Sequence, residues 1–140
     1  MMKAAADART GSTRVIAVTI LTSLDSKDLE LLGTADTPLE LVTRLALAAR
    51  ESGLDGVVCS PKEASAVRSC TDDDFLIVTP GIRPTGSAAG DQKRVMTPSE
   101  AIRSGASALV VGRPITGAED PRSSALSILG EIDQALSTVN

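Results

Sequence analysis

The chain has 140 residues, of which 42% are hydrophobic and 23% are charged, and these proportions are typical of a globular domain with one core. The formal charge is −4 and the basic residues form no continuous run, so binding to nucleic acid or to an anionic membrane through bulk charge is not expected. The absence of His, Trp and Tyr excludes a His metal site, a Ser-His-Asp triad and an aromatic platform for stacked bases.

The two cysteines and the hydropathy pattern bear on the cellular compartment. Cys59 and Cys70 are too few for a disulfide framework and lack metal-ligand spacing, which indicates a reducing compartment and inert thiols. The longest apolar run, 15–21, is far shorter than the roughly 20 residues of a membrane span. Residues 1–9 lack the apolar stretch of a signal peptide. We therefore expect a cytoplasmic protein without membrane contact.

Short apolar runs alternate with helical patterns, which predicts βα units and a mainly parallel sheet. In chain order the predicted elements are the end of a helix at 1–9, a strand at 14–21, a short helix at 25–32, a helix at 37–53, a strand at 55–60, a helix at 61–69, a strand at 75–79, a helix at 97–105, a strand at 108–112 and a helix at 121–136. Two of the helices begin with the same Thr-Pro-x-Glu pattern, at Thr37 and Thr97. This pattern combines a hydroxyl cap, a proline in the first turn and a glutamate that completes a capping box.

The segment 80–96 is polar, rich in Gly and Pro, and without periodicity. A loop of this length is uncommon in a compact domain and is usually functional. Its letters GSAAGDQKR fit neither the Walker pattern nor the dinucleotide fingerprint. A nucleotide cradle of either of those two kinds is therefore not expected.

The last two predicted strands are each followed by a Gly and, one or two residues later, an Arg: Gly81 with Arg83, and Gly112 with Arg113. In a (β/α)8 barrel, a phosphate commonly sits between the loops that follow the last two strands. A glycine lets the phosphate approach backbone amides, and a guanidinium supplies charge and forked donors. The long loop adds Gln92, whose amide is a further donor. An alternative stays open, in which the glycines only form tight turns and both arginines are solvated.

Other polar residues lie near strand ends. Thr22 and Ser23 follow the first strand and offer hydroxyls at the same rim, although they also suit the cap of the short helix after them. Asp55 precedes its strand and is expected at the opposite face, which serves stability. Lys62 and Glu63 open a helix, where charges are usually solvated. We assign no catalytic role to these last three residues.

The chain resembles the C-terminal half of bacterial-type orotidine 5′-phosphate decarboxylase in four segments, VIAVTILTSLD, ESGLDGVVCS, VTPGIRPTGSAAGDQKRVMTPSEAI and ALVVGRPIT. These segments cover nearly the whole chain in the family's order, and the combination VTPGIRP…GDQKR…VVGRPIT is highly specific. The resemblance implies an α/β fold, namely strands five to eight of a (β/α)8 TIM barrel. Residues 1–140 would then form one partial barrel domain with a mobile, phosphate-gripping loop at 80–96.

The resemblance also implies a substrate-binding set, with no cofactor and no metal. Arg113 and the backbone of Gly112 would grip the phosphate of orotidine 5′-phosphate or UMP. Gln92 would close over phosphate and pyrimidine, and Arg83 would line the same pocket. Thr22 matches the family's hydroxyl near the pyrimidine ring.

The family decarboxylates orotidine 5′-phosphate to UMP, the last step of de novo pyrimidine synthesis, with a Lys and Asp charge network on its first strands. Its signature there, Asp-x-Lys-x-x-Asp-Ile-Pro-Asn-Thr, does not occur in these 140 residues, and the superficial match at 25–27 lies in the wrong place. This chain would thus carry residues that bind the substrate but would lack the charged residues that stabilise the transition state. We expect this chain to bind ligand but to be inactive alone.

Three hypotheses follow from the resemblance. The first is a decarboxylase half that needs a missing N-terminal half. The second is a homodimer of half-barrels that binds a nucleotide or a sugar phosphate. The third, an enzyme on another sugar phosphate such as a hexulose-phosphate synthase, is less favoured by the loop sequence. A full barrel takes at least about 200 residues, so two strand edges stay unpaired unless something covers them.

Overall fold

Four short parallel strands form one sheet in the computed structural model, which describes residues 1–84 and 94–138. In chain order the elements are α1 (Met2–Asp7), β1 (Ile16–Val18), α2 (Ser26–Leu31), α3 (Pro38–Glu51), β2 (Gly56–Val58), α4 (Ala64–Cys70), β3 (Leu76–Thr79), α5 (Pro98–Arg103), β4 (Ala108–Leu109), α6 (Arg113–Thr116) and α7 (Pro121–Ser137). The strands pair in sequence order, and Val57 of β2 lies between Ala17 of β1 and Ile77 of β3. At least one helix follows every strand, so the predicted βα succession is confirmed.

The two Thr-Pro-x-Glu helix starts form as predicted. The Glu40 amide donates to Thr37 Oγ1 at 3.3 Å, and the Thr37 amide donates to the Glu40 carboxylate at 2.8 Å. Thr97 and Glu100 form the same reciprocal pair at the start of α5. The cap of α2 is Asp25, whose side chain accepts from the amides of Lys27 and Asp28. The alternative in which Thr22 or Ser23 caps this helix is therefore wrong.

The hydrophobic core lies between the central strands and helices α3 and α4. Its buried members are Val42, Ala46, Ala49, Leu54, Val57, Cys59, Ala64, Val67, Phe75 and Ile77. The side chains on α3 recur at helical spacing, and those on the strands face the same layer. Burial of apolar side chains is the main favourable contribution to folding. The central strands are therefore the part of the sheet that apolar burial stabilises most.

Strands β1 and β4 form the two edges of the sheet. Within residues 1–84 and 94–138, each of them pairs with a single neighbour. Val18 on β1 is 61% exposed, and Val110, just after β4, is 52% exposed. The observed strands are also shorter than predicted, since 14–21 becomes Ile16–Val18 and 108–112 becomes Ala108–Leu109. The central strand β2 is shortened as well, from 55–60 to Gly56–Val58, so the open edges do not by themselves explain the difference.

The structure bears on the predictions of inert thiols and of no membrane span. Cys59 is fully buried, and burial raises the pKa of its thiol to about 12. This thiol is therefore protonated at neutral pH, in keeping with an inert role. In the part of the chain that the structure describes, the helices are too short or too polar to cross a membrane.

Candidate functional site

The carboxyl ends of parallel strands meet at one edge of a sheet, and this rim is where α/β barrels bind their ligands. Thr22 follows β1, Arg83 follows β3, and Gly112 and Arg113 follow β4. The parallel pairing of all four strands places these residues along the same rim. The segment after β2 contributes Ser60, which is fully buried.

A pocket of about 340 Å³ opens at the β1 side of the rim. Thr22 and Ser23 line it together with Pro80, which follows β3. The rest of its lining is Val18, Ile20, Leu21, Val58 and Cys59. Thr22 is only 6% exposed. The pocket thus combines two hydroxyl-bearing residues with apolar walls, the usual composition of a small-molecule site.

The turn after β3 holds Arg83 in the interior. Gly81 has a φ of +76°, in the left-handed region that favours glycine, so this glycine does serve a tight turn. The Arg83 amide donates to the Met96 carbonyl at 2.9 Å, and its Nη1 donates to the Ile82 carbonyl at 2.8 Å. Arg83 is buried, so the alternative of a solvated Arg83 is wrong. The lining of the 340 Å³ pocket does not include it.

The segment after β4 is open to solvent. Gly112 precedes α6 with a φ of −102° and a ψ of −102°, a backbone conformation outside the regions that other residues populate. A Cβ there would have space, since no described atom lies within 4 Å. The backbone conformation therefore favours glycine at this position, as at Gly81. Arg113 opens α6 and is exposed. The short helix is attached to α7 by a 2.8 Å hydrogen bond from Ser124 Oγ to the Pro114 carbonyl.

The predicted role of Gln92 lies outside the described residues, as does most of the predicted loop 80–96. The structure describes its two ends, 80–84 and 94–96. These ends are joined by a parallel bridge between Ile82 and Met96.

The rim contains a buried ion pair that the sequence did not indicate. Glu63 was expected to be solvated, and this expectation is wrong, because the residue is only 4% exposed. Its Oε1 lies 2.5 Å from Nη1 of Arg94. Burial raises the pKa of Glu63, and the Arg94 guanidinium opposes that shift. A glutamate at a helix start carries no local signal for a partner 31 positions further along the chain.

A parallel sheet ordered as the chain runs, with helices after each strand and basic residues after the last two, defines half of a (β/α)8 barrel. The chain belongs to the orotidine 5′-phosphate decarboxylase / HUMPS family, whose model matches residues 1–128. This finding confirms the resemblance seen in the sequence.

Individual relatives agree with that assignment. The chain is 58% identical over 122 residues to orotidine 5′-phosphate decarboxylase of Methylobacterium sp. (strain 4-46). The aligned region covers 87% of this chain and 52% of that relative. It is 52% identical over 138 residues to that of Halorhodospira halophila, covering 96% of this chain and 58% of the relative. The chain therefore spans about half the length of the curated relatives it matches.

Solved structures show the same relation. The crystal structure of orotidine 5′-phosphate decarboxylase from Lactobacillus acidophilus matches with a TM-score of 0.76 and 39% identity, over 94% of this chain and 58% of that one. The corresponding structure from Pyrococcus horikoshii matches with a TM-score of 0.62 and 26% identity, over 86% and 51%. These matches confirm the predicted fold class, the C-terminal half of a TIM barrel.

Proposed function

We propose that this chain carries the phosphate- and pyrimidine-binding half of an orotidine 5′-phosphate decarboxylase and does not decarboxylate on its own. The observation that carries the proposal is the placement of Thr22, Arg83 and Arg113 at the ends of three parallel strands, in a chain whose relatives are orotidine 5′-phosphate decarboxylases. A cytoplasmic location belongs to the proposal and is supported by the two free cysteines.

The chemistry of the rim suits a nucleoside monophosphate. Arg113 is an exposed residue at this rim, and charge-assisted bonds from arginine to phosphate are short and strong. Gly112 leaves space for a phosphate to reach the backbone. Thr22 and Ser23 offer hydroxyls in a pocket with apolar walls, where a pyrimidine would be held by its polar edge and its faces.

The proposed inactivity rests on the chemistry that these residues lack. These 140 residues contain no Asp-x-Lys-x-x-Asp pattern, which in this family supplies the charge network of the reaction. Phosphate contacts provide binding energy, whereas stabilisation of a developing charge needs groups aimed at the reacting atoms. We therefore assign substrate binding, and no catalytic residue, to this chain.

The proposal is tested by titrating the purified chain with UMP in a calorimeter, with inorganic phosphate as the reference ligand. We expect saturable UMP binding that Arg113→Ala weakens at least tenfold, the loss expected for one charge-assisted contact. Arg103→Ala is the matched control, because Arg103 is exposed at the end of α5, away from the rim. Absence of UMP binding, equal effects of the two variants, or decarboxylation by the pure chain would overturn the proposal.

A second candidate, a homodimeric nucleotide- or sugar-phosphate-binding module, is favoured by the two open edges of the sheet. An apolar groove of about 360 Å³ runs along β1 and another of about 400 Å³ along β4. Two copies that pair β1 of each with β4 of the other would close a ring of parallel strands. The grooves are lined by Met2, Val15, Ala17 and Leu45 at one edge and by Leu109, Ile115, Ile128 and Leu129 at the other.

Light scattering separates the two candidates. A homodimer that Val18→Lys or Val110→Lys converts to monomer supports the module, since both residues are exposed beside the edge strands. A monomer at all concentrations, which gains decarboxylase activity when mixed with the N-terminal half of a relative, supports the split decarboxylase and contradicts the module.

A further inference from the structure

The Glu63–Arg94 pair lies at the junction of the strands that carry the candidate site. Arg94 Nη1 contacts Glu63 Oε1 at 2.5 Å, and Arg94 Nη2 donates to the Leu21 carbonyl at 2.8 Å. The Arg94 carbonyl accepts from Ser60 Oγ at 3.2 Å. The side chain of Arg94 is 9% exposed and that of Glu63 is 5% exposed. One arginine therefore cross-links the segments after β1 and β2 inside the protein.

These contacts lead directly to two of the candidate ligand residues. Leu21 is bonded covalently to Thr22. Met96, two positions after Arg94, accepts the amide of Arg83 at 2.9 Å. Arg94 is thus linked to the residue before Thr22 through its side chain, and to Arg83 through the backbone of Met96. Loss of its guanidinium contacts would remove one donor to the Leu21 carbonyl beside Thr22 and the side-chain anchor of the segment 94–96, which contacts Arg83.

The pair is poorly suited to a role in stability alone. Glu63 Oε2 and Arg94 Nε have no hydrogen-bond partner among the described residues, so the two groups meet through a single contact rather than a bidentate one. Removing two charges from water is costly, and well-packed apolar residues of similar volume often do as well or better. Arg94 Nη2 is in addition one of two donors to the Leu21 carbonyl, the other being the Leu24 amide, and this contact ties the backbone beside Thr22 to a distant segment.

We propose that the Glu63–Arg94 pair is a positioning device for the nucleotide site, in which Glu63 orients the Arg94 guanidinium and Arg94 holds the segments that carry Thr22 and Arg83. This inference rests on the proposed function, because the ligand it serves is the nucleoside monophosphate assigned there. Neither residue is expected to touch the ligand.

The primary test is Arg94→Lys. A lysine keeps the charge opposite Glu63, but its single ammonium replaces two guanidinium nitrogens that reach different partners. We expect UMP binding to weaken roughly tenfold, the loss of about one net hydrogen bond, while the chain stays folded. Arg68→Lys is the matched control. Arg68 also cross-links two segments, through the Gly105 carbonyl and Ser107 Oγ, but at the amino end of β4.

A second variant separates positioning from stability. In Glu63→Leu/Arg94→Met both charges are replaced together, so no lone charge is left buried. We expect its urea midpoint to stay near that of the parent while its UMP affinity falls as in Arg94→Lys. Parent-like UMP affinity in either folded variant would overturn the proposal.

A readout without ligand keeps this test independent of the proposed function. The Leu24 amide donates to the Leu21 carbonyl and the Arg83 amide to the Met96 carbonyl, so hydrogen exchange at these two amides reports on the held segments. We expect exchange at both to be at least tenfold faster in Arg94→Lys and unchanged in Arg68→Lys. Failure of the parent to bind UMP would refute the proposed function alone, whereas unchanged exchange in Arg94→Lys would refute the positioning role.

Discussion

The centre and the edges of the sheet are held by different forces. Val57 and Ile77 on the central strands are completely buried, whereas Val18 is 61% exposed and Val110 52% exposed. Of the three proposed ligand residues, Thr22 and Arg113 nevertheless follow the edge strands, and only Arg83 follows a central one. Two of these three residues therefore lie on the parts of the sheet that apolar burial supports least.

Polar cross-links hold the edges where burial does not. At the amino end of β1, Asp55 accepts from the Val15 amide at 2.7 Å and pairs with Arg9. At its carboxyl end, Arg94 donates to the Leu21 carbonyl. On the β4 side, Ser107 Oγ accepts from the Ile77 amide at 3.1 Å. Substitutions and pH changes should therefore act differently on the centre and on the edges.

The largest difference is expected between Ile77→Ala and Val110→Ala. Truncation of the buried Ile77 removes transfer energy and leaves a cavity, so we expect the free energy of unfolding to fall by about 3 kcal/mol. Truncation of the exposed Val110 should cost less than about 0.5 kcal/mol. Urea unfolding of both variants measures the difference. A large and concentration-dependent loss in Val110→Ala would instead show that a second copy covers this edge.

A smaller effect is expected where the two central strands approach each other. A Cβ at Gly56 would overlap the backbone of Leu76, lying 2.8 Å from its Cα, so Gly56→Ala must push β2 and β3 apart. We expect a loss of about 2 kcal/mol, the usual cost of overpacking. The control is Gly130→Ala in α7, where a Cβ meets no described atom within 4 Å; it should gain about 0.5 to 1 kcal/mol in helix propensity. Equal urea midpoints for the two variants would contradict this close approach.

The smallest effect is a pH dependence with opposite signs at the two ends of β1. The hydrogen bond from the Val15 amide and, to a smaller extent, the one from Arg9 hold the pKa of Asp55 below its ordinary value of 3.8. Its contribution to stability is present above that value and is lost as the pH falls through the lowered pKa. Burial holds the pKa of Glu63 above 4.5. Its contribution is complete below 4.5 and is lost as the pH rises through the raised pKa.

Urea unfolding between about pH 3 and pH 7 tests both signs. The parent should gain stability as the pH rises below about 4 and lose part of it above 4.5. Glu63→Gln should abolish the decline and keep the rise, whereas Asp55→Asn should weaken the rise and keep the decline. The rise persists in part because other carboxyls also have a lowered pKa, namely Asp36, Glu40 and Glu100. A decline that survives in Glu63→Gln would contradict its assignment to this buried carboxyl.

The sequence by itself determined the features that depend on near neighbours. The capping boxes at Thr37 and Thr97 and the order of strands and helices were all predicted, because caps and periodicity act within a few residues. The short helix Arg113–Thr116 was missed, since four residues are too few to show a period. The placement of Thr22, Arg83 and Arg113 on one rim also followed from the alternation of strands and helices, since parallel strands share a carboxyl edge.

Only the tertiary structure decided which of these side chains are buried and what holds them. Arg83 and Arg113 each follow a glycine in sequence, yet one is buried and the other exposed, because one follows a central strand and the other an edge strand. The sequence predicts that Glu63 is a solvated charge at a helix start, whereas the fold places it against Arg94, 31 positions away. Burial and ion pairing depend on contacts between distant segments, and local sequence patterns carry no information about those contacts.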